Sequence, residues 1–209
     1  MNTGGRFMYK WKRIAVVGIL LIGILLGFAI WRGFPPFQLR SSQFPGLLSN
    51  SITPNPQSVR IEIVKSERKL VLYQEEKMIG IFKIALGFSP RGDKGQEGDG
   101  KTPEGSYAIC YINDETPYVY FYGLSYPQEK DAKKGLEKGL ISQEEYQNLM
   151  NTSKNKSIPS WYTSLGGEVG IHGGGNGADW TKGCVALSDT DILILKKYLM
   201  IGTPVHIFP

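Results

Sequence analysis

Cysteine and histidine are scarce in this chain. Its 209 residues include two of each, at Cys110, Cys184, His172 and His206, and neither pair has the CxxC or HxxxH spacing of metal ligands. A structural zinc site takes four such ligands at short, characteristic spacings. The sequence therefore predicts no metal site, and nothing in it indicates a bound cofactor.

Acidic residues are absent from the first 57 positions. Of the 24 basic residues six lie there, so 18 remain against 19 acidic residues in 58–209. The net charge of +5 thus belongs to the N-terminal segment, and the rest of the chain is close to neutral. Nucleic acid is excluded as a partner, because a protein that binds it needs a basic face to contact the phosphates.

Long apolar runs are also absent, with one exception. Ile14–Trp31 contains 18 uninterrupted apolar residues, which is enough for a transmembrane helix. Basic residues concentrate before this run, so we expect residues 1–13 in the cytoplasm and residues 58–209 on the opposite, extracytoplasmic side of the membrane. Residues 32–57 are rich in Pro and Ser and would form a tether between the membrane and the domain. A cleaved signal peptide is the alternative, although the run does not end in a small-residue cleavage site.

The remaining 152 residues predict a mainly β domain with short helices. Alternating or continuous apolar runs indicate strands, and charged stretches with capping residues indicate helices. The predicted strands are Val59–Val64, Leu70–Tyr73, Ile79–Leu86, Ser106–Ile112, Tyr118–Ser125, Glu168–His172 and Thr203–Phe208, and the predicted helices are Glu129–Lys138, Ser142 to about Met150, with a capping box at its start, and Ser188–Met200.

A nucleotide-binding motif is formally present and fails on its context. Gly95–Thr102 satisfies the P-loop pattern G-x-x-x-x-G-K-[ST], but that mechanism requires a helix to begin at the Lys-Thr pair. Pro103, Gly105 and a β-branched strand follow instead. We therefore predict a surface loop between strands and no nucleotide.

The segment from His172 to Cys184 combines the parts needed for thiol catalysis. A thiol requires a base to become a nucleophile at neutral pH, and acyl transfer requires backbone amides directed at the developing oxyanion. His172 ends a strand, a glycine-rich loop follows, and Gly183 places amides beside the sulfur. Lys182 adds a neighbouring positive charge that favours the thiolate. His206, in the last strand, is interpreted as structural.

The two cysteines have different surroundings. Cys184 lies among glycines and charged residues, whereas Cys110 lies in the apolar run Tyr107–Tyr111. The first environment is typical of a reactive thiol and the second of a buried small hydrophobic residue. A single disulfide between them is the alternative in an oxidising compartment.

In its ordered motifs the chain resembles the L,D-transpeptidases, the YkuD-type domains. The resemblance covers 58–209 and rests on these segments: Leu70–Tyr73, Gly98–Gly105, Ser125–Pro127, Ile171–Gly173, Thr181–Ser188 and Gly202–Val205. It implies an L,D-transpeptidase-like β-sandwich, and an enzyme that acts on peptidoglycan stem peptides in cell wall cross-linking, remodelling and cell shape. Cys184 would be the nucleophile and His172 the base, with the amides of Gly183 and Cys184 as oxyanion donors. Gly173, Trp180, Thr181 and Lys182 would contact substrate.

The chain departs from the family pattern at two positions near the nucleophile. Many members have His where this chain has Lys182, and Arg where it has Ala186. The Asp179–Thr181 segment resembles a branch in which some members hydrolyse peptides instead of joining them. The acceptor is therefore open between an amine and water, and a non-catalytic wall-binding module is a further alternative. We also expect the insertion 113–165 to cover the substrate groove.

Overall fold

The computed structural model describes residues 53–154 and 157–209. The predicted cytoplasmic segment 1–13, the predicted anchor 14–31 and most of the tether 32–57 lie outside these residues. Within the described residues, no helix combines the length and the apolar character needed to cross a membrane. The membrane anchor stays a prediction.

The described residues form eight β-strands and three α-helices. The strands are β1 Val59–Val64, β2 Lys69–Gln74, β3 Lys77–Lys83, β4 Gly105–Asn113, β5 Phe121–Leu124, β6 Gly170–His172, β7 Val185–Ala186 and β8 Pro204–Phe208, and the helices are α1 Glu129–Glu137, α2 Gln143–Lys154 and α3 Asp189–Leu195. The domain is mainly β with short helices, as predicted.

All eight strands belong to one hydrogen-bonded sheet, in the order β3-β2-β1-β8-β4-β5-β6-β7. The strand β4 joins its two halves, since Gly105–Ala108 pair with β8 and Ile109–Asn113 pair with β5. The predicted β-sandwich is therefore corrected to a single curled sheet, because the long strand β4 continues from one half of the sheet into the other.

The two ends of the sheet approach each other. Past the end of β3, Ala85 forms an antiparallel bridge to Ala186 of β7, and Gly87 forms a parallel bridge to Thr181. This contact explains why the predicted strand Ile79–Leu86 is shorter in the structure. Its last residues leave β2 and pair with the segment around Cys184 instead.

One hydrophobic core fills the curl of the sheet. Side chains of β1 alternate between buried and half-buried, as expected for a strand with one face against a core. Helix α3 adds Ile192 and Leu195 to this core. Its first turn is capped by the Ser188 hydroxyl, which accepts a hydrogen bond from the Asp191 amide at 3.1 Å. This helix ends at Leu195, before the predicted end at Met200.

The insertion 113–165 has two parts. Phe121–Leu124 is an interior strand of the sheet, whereas α1 and α2 pack together around a separate small core that includes Leu165. The predicted capping box of α2 is confirmed by reciprocal hydrogen bonds between Ser142 and Glu145 at 2.7 and 3.1 Å. Part of the insertion is therefore integral to the fold, and the function of the helical part stays a hypothesis.

Candidate active site

Strands β6 and β7 bring the segments that carry His172 and Cys184 side by side. The two strands are parallel, with Ile171 opposite Val185 and His172 opposite Ala186. Cys184 directly precedes β7, and its thiol lies against the start of β6, where the Glu168 carbonyl and the Gly170 backbone act on it. At a strand spacing of about 4.8 Å and a rise of about 3.3 Å per residue, an extended backbone at Cys184 would put it diagonally across from His172.

The imidazole of His172 is held as a neutral base. The residue is 3% exposed, and its Nδ1 lies 2.5 Å from the Gly173 carbonyl oxygen. A carbonyl only accepts hydrogen bonds, so Nδ1 carries the proton and Nε2 keeps its lone pair. Burial lowers the pKa of His172, partly offset by the contact with Gly173. The side chain is therefore a proton acceptor at neutral pH.

Three aromatic rings surround this imidazole. The ring centroids of Tyr118, Trp180 and Phe121 lie 4.5, 5.7 and 6.3 Å from that of His172. Tyr118 is brought there by a turn in which Val119 has φ +70, a conformation that β-branched residues rarely adopt. The strained turn and the aromatic rings fix the plane of the imidazole and exclude water from its faces.

The thiol of Cys184 is free and half-buried. Its Sγ donates a hydrogen bond to the Glu168 carbonyl oxygen at 3.5 Å. Burial raises the pKa of the Cys184 thiol to about 11, while the Gly170 backbone and the Lys94 ammonium act to lower it. A thiol with this pKa would need a base to act as a nucleophile at neutral pH.

Thr181 organises the turn that carries the cysteine. Its hydroxyl accepts a hydrogen bond from the Gly183 amide at 3.1 Å and donates one to the Cys184 carbonyl at 2.7 Å. The sequence predicts a substrate contact for Thr181, but the residue is 3% exposed and its hydroxyl is occupied on both sides. The structure gives it a backbone-positioning function. The Gly183 amide is likewise engaged here, and its function as an oxyanion donor stays a prediction.

The loop between β3 and β4 packs against this turn. A Cβ on Gly183, whose φ is +142, would lie 2.8 Å from the Lys101 carbonyl oxygen. No helix begins at Lys101, which removes the structural basis of a P-loop. The prediction of a loop between strands is confirmed, and Gln96, Glu97 and Gly98 lie at the surface as expected, whereas Gly100 and Thr102 at the end of the loop are buried.

The burial of this loop depends on Asp99. Its carboxylate accepts hydrogen bonds from the amides of Gly95, Gln96 and Lys101 and from the Lys94 ammonium, at 2.7–3.2 Å. Burial acts to raise the pKa of Asp99, but these hydrogen bonds outweigh it and lower that pKa below its usual value. The backbone polar groups are thereby satisfied inside the protein.

A comparison with protein families identifies the family of this domain. The model of the YkuD family, described as the L,D-transpeptidase catalytic domain, matches residues 58–207. The chain belongs to this family.

The chain is also similar to several solved structures. The chain is similar to the helical cell shape determining protein Pgp2 of Campylobacter jejuni (21% identity, TM-score 0.47, covering 72% of this chain and 47% of that one). It is also similar to Bd1075 of Bdellovibrio bacteriovorus (21%, 0.47, 72% and 48%) and to an L,D-transpeptidase of Xylanimonas cellulosilytica (14%, 0.45, 77% and 63%). The chain thus matches about half the length of the first two. No curated protein sequence matches it.

Trp180 and Gly173, which are also predicted for the site, differ in their exposure to solvent. Trp180 is 41% exposed beside His172, and its segment is anchored by Asp179, which accepts hydrogen bonds from Arg68 and from the Leu86 amide. Gly173 is buried, and a Cβ there would lie 2.6 Å from the Tyr118 carbonyl oxygen. Its place is therefore against the protein, where its carbonyl holds the imidazole.

The buried lysine near Cys184 is Lys94 and not the predicted Lys182. Lys182 is exposed, whereas Lys94 is buried and acts on the pKa of Cys184. Lys94 lies 90 residues before the cysteine in the sequence. In the sequence, the one indication that the positive charge of Lys94 is paired is Asp99, which follows it in the same glycine-rich loop.

Both cysteines are free thiols, so the alternative of a disulfide is not what this structure has. Within the described ranges no group of three or more His, Cys, Asp or Glu side chains is placed to hold a metal ion. His206 lies in β8, with Nδ1 2.7 Å from the Ser106 hydroxyl, and β8 belongs to the other half of the sheet.

Proposed function

We propose that this chain is a peptidoglycan L,D-transpeptidase in which Cys184 forms a thioester with a stem peptide. The family to which it belongs is one of enzymes that act on such peptides. The observation that carries the proposal is the pairing of β6, which ends at His172, with β7, which directly follows Cys184, together with the contact of the Cys184 thiol with the Glu168 carbonyl just before β6. A wall-binding module would not require a neutral histidine beside a thiol.

Acylation begins with proton transfer within this pair. The thiol rotates from the Glu168 carbonyl toward His172, and Nε2 accepts its proton. The sulfur then attacks the carbonyl carbon between the L-centre and the D-residue. The C–S bond forms as the carbonyl electrons move to oxygen, where the Cys184 amide donates a hydrogen bond. His172 returns its proton to the leaving amine as the C–N bond breaks.

Deacylation reverses these roles. An amine from a second stem peptide loses a proton to Nε2 and attacks the thioester carbon. The C–S bond breaks, and the proton on His172 passes to the sulfur. The same imidazole therefore acts as base and acid in both halves, as is required of a group flanked by one nucleophile and one leaving group.

The acceptor is tested by product analysis. The full-length protein is incubated with wall peptides, with and without an added D-amino acid, and the products are identified by mass spectrometry. A transpeptidase gives cross-linked or D-amino-acid-exchanged peptides. Shortened peptides alone identify a hydrolase, and unchanged peptides contradict an enzymatic function. The Cys184→Ala protein serves as the matched control.

We also propose that Ile14–Trp31 anchors the chain in the cell membrane with the catalytic domain outside the cytoplasm. The support is the apolar length of this run and the basic residues before it. Alkaline carbonate should then leave the protein in the membrane, and external protease should remove the domain from spheroplasts. A soluble protein that starts after Trp31 would indicate a cleaved signal instead.

A further inference from the structure

A buried ammonium group lies against the turn that carries the nucleophile. We propose that Lys94, held by Asp99, is a positioning residue that stabilises the thiolate of Cys184 electrostatically. This inference rests on the proposed function of Cys184 as nucleophile. The positive charge that favours the thiolate would then come from Lys94, in the β3–β4 loop, and not from Lys182 as the sequence suggests.

The first support is close packing. The Cδ atom of Lys94 lies 3.8 Å from the position that a Cβ on Gly183 would occupy. Gly183 directly precedes the nucleophile, and its φ of +142 favours glycine. Because no side chain stands between them, the lysine stem lies directly beside this turn.

The second support is the way the ammonium is held. Lys94 is 5% exposed, and its Nζ donates hydrogen bonds to the Gln96 carbonyl and to Asp99, both at 3.0 Å. Among residues 53–154 and 157–209 no third acceptor lies within hydrogen-bond distance. An ammonium has three donors, so these two acceptors leave one N–H unused.

The third support is energetic. A buried ion pair adds little to stability compared with apolar side chains of similar volume, since both charges lose their hydration. The hydrogen bonds of Asp99 to backbone amides order the loop, and they do not require the charge of Lys94. A charge in this place acts strongly on its neighbours, because buried charges are screened by salt far less than exposed ones.

Among the charged groups near Cys184, Lys94 is the one that favours its thiolate. Glu168, in the segment before β6, acts to raise the pKa of the thiol, and Lys94 acts to lower it. His172 is neutral in the resting state, with a lowered pKa. Lys182 is exposed to solvent. Of the two lysines, Lys94 is the one held inside the protein.

The test measures the ionisation of Cys184 without any wall substrate. Full-length protein reacts with iodoacetamide over a range of pH, and peptide mass spectrometry follows Cys184 and Cys110 separately. The thiolate displaces iodide, so the rate reports the thiolate fraction. We expect Lys94→Met to slow alkylation of Cys184 about tenfold at a fixed pH below its midpoint. Alkylation of Cys110 should not change.

Matched variants separate the charge from the fold. Asp99→Asn removes the counter-charge and should speed alkylation of Cys184, the opposite of Lys94→Met, whereas a purely structural pair would give the same direction in both. Lys182→Met should leave the rate within about twofold, because its charge is solvent-screened. If Lys94→Met does not fold, as judged by circular dichroism, the Lys94→Met/Asp99→Asn double variant is compared with Asp99→Asn alone.

An unchanged rate in Lys94→Met, or in the double variant relative to Asp99→Asn, overturns the proposal. So does a larger effect from Lys182→Met than from Lys94→Met. Because the readout is thiol alkylation, this outcome is distinct from a failure of the proposed function. The latter would appear as unchanged wall peptides with an alkylation profile that still responds to Lys94.

Discussion

The two cysteines of this chain invite comparison because their thiols are so similar. Both are free and half-buried, and burial raises the pKa of each thiol to about 11. By resting acidity alone, neither is a nucleophile at neutral pH. The difference between them lies in what surrounds each sulfur.

Cys110 lies at an irregularity in β4, between Ile109 opposite Leu124 and Tyr111 opposite Gly123. These cross-strand neighbours offer no base. Cys184 has His172 on the adjacent strand, with Nδ1 bonded to a carbonyl so that Nε2 is a proton acceptor. The comparison teaches that a nucleophile is identified by the base beside it more than by its own resting pKa.

The largest effect should come from exchanging the two thiols for alanine. Cys184→Ala should abolish conversion of stem peptides, because no other group on that face can form the thioester. Cys110→Ala should retain most of the activity. Rates are measured by mass spectrometry of wall peptides, and conversion by the Cys184→Ala protein would contradict the assignment.

The base should rank next. His172→Ala should lower the rate by about 10²–10⁴-fold, the usual contribution of a positioned general base. Activity of the variant is measured across pH, and it should recover partly at high pH, where the thiol ionises unaided. Should Lys182→Ala be equally damaging, His172 could not be the sole base.

A smaller effect is expected at Thr181. Thr181→Val keeps the shape but leaves the Gly183 amide and the Cys184 carbonyl without their partner. We expect a loss of about 1–3 kcal/mol in the free energy of unfolding and a rate reduced by roughly 10–100-fold through misplacement of the sulfur. Thr181→Ser is the control and should restore most of both. Equal effects in Val and Ser variants would show that the hydroxyl is not what matters.

The smallest effect concerns pH and stability. The pKa of His172 is lowered by burial, so between its folded value and the ordinary value of about 6.5 the unfolded chain binds more protons. The contribution of His172 to stability is thus complete above about pH 6.5 and lost as the pH falls below it. Denaturant unfolding is measured across this pH range for wild type and His172→Gln, and the variant should lose less free energy of unfolding as the pH falls. An equal loss in both would rule out His172 as its source.

Much of the fold follows from local sequence. The alternation in Val59–Val64 and the capping box at Ser142 each specify an element by short-range chemistry, and both are confirmed. What could not be read was the pairing of distant segments. The bridge from Ala85 to Ala186 and the continuity of β4 through both halves depend on how the sheet curls.

The site divides in the same way. His172 and Cys184 lie in one short, glycine-rich segment, so spacing predicts them as a pair, and the pairing of β6 with β7 brings their two segments side by side. Lys94 joins them from another loop through tertiary packing, and Thr181 turns inward because the backbone of the turn needs its hydroxyl. Proximity in sequence suggested Lys182, but an exposed side chain one position from Gly183 points its charge to water.

The proposed function depends most directly on which sulfur becomes acylated. Full-length protein is mixed with a stem peptide, quenched in acid while turnover proceeds, digested and examined by mass spectrometry. We expect the acyl mass on the peptide that contains Cys184 and none on the peptide that contains Cys110. An adduct on Cys110, or product formation with no adduct on Cys184 at any time, would contradict it.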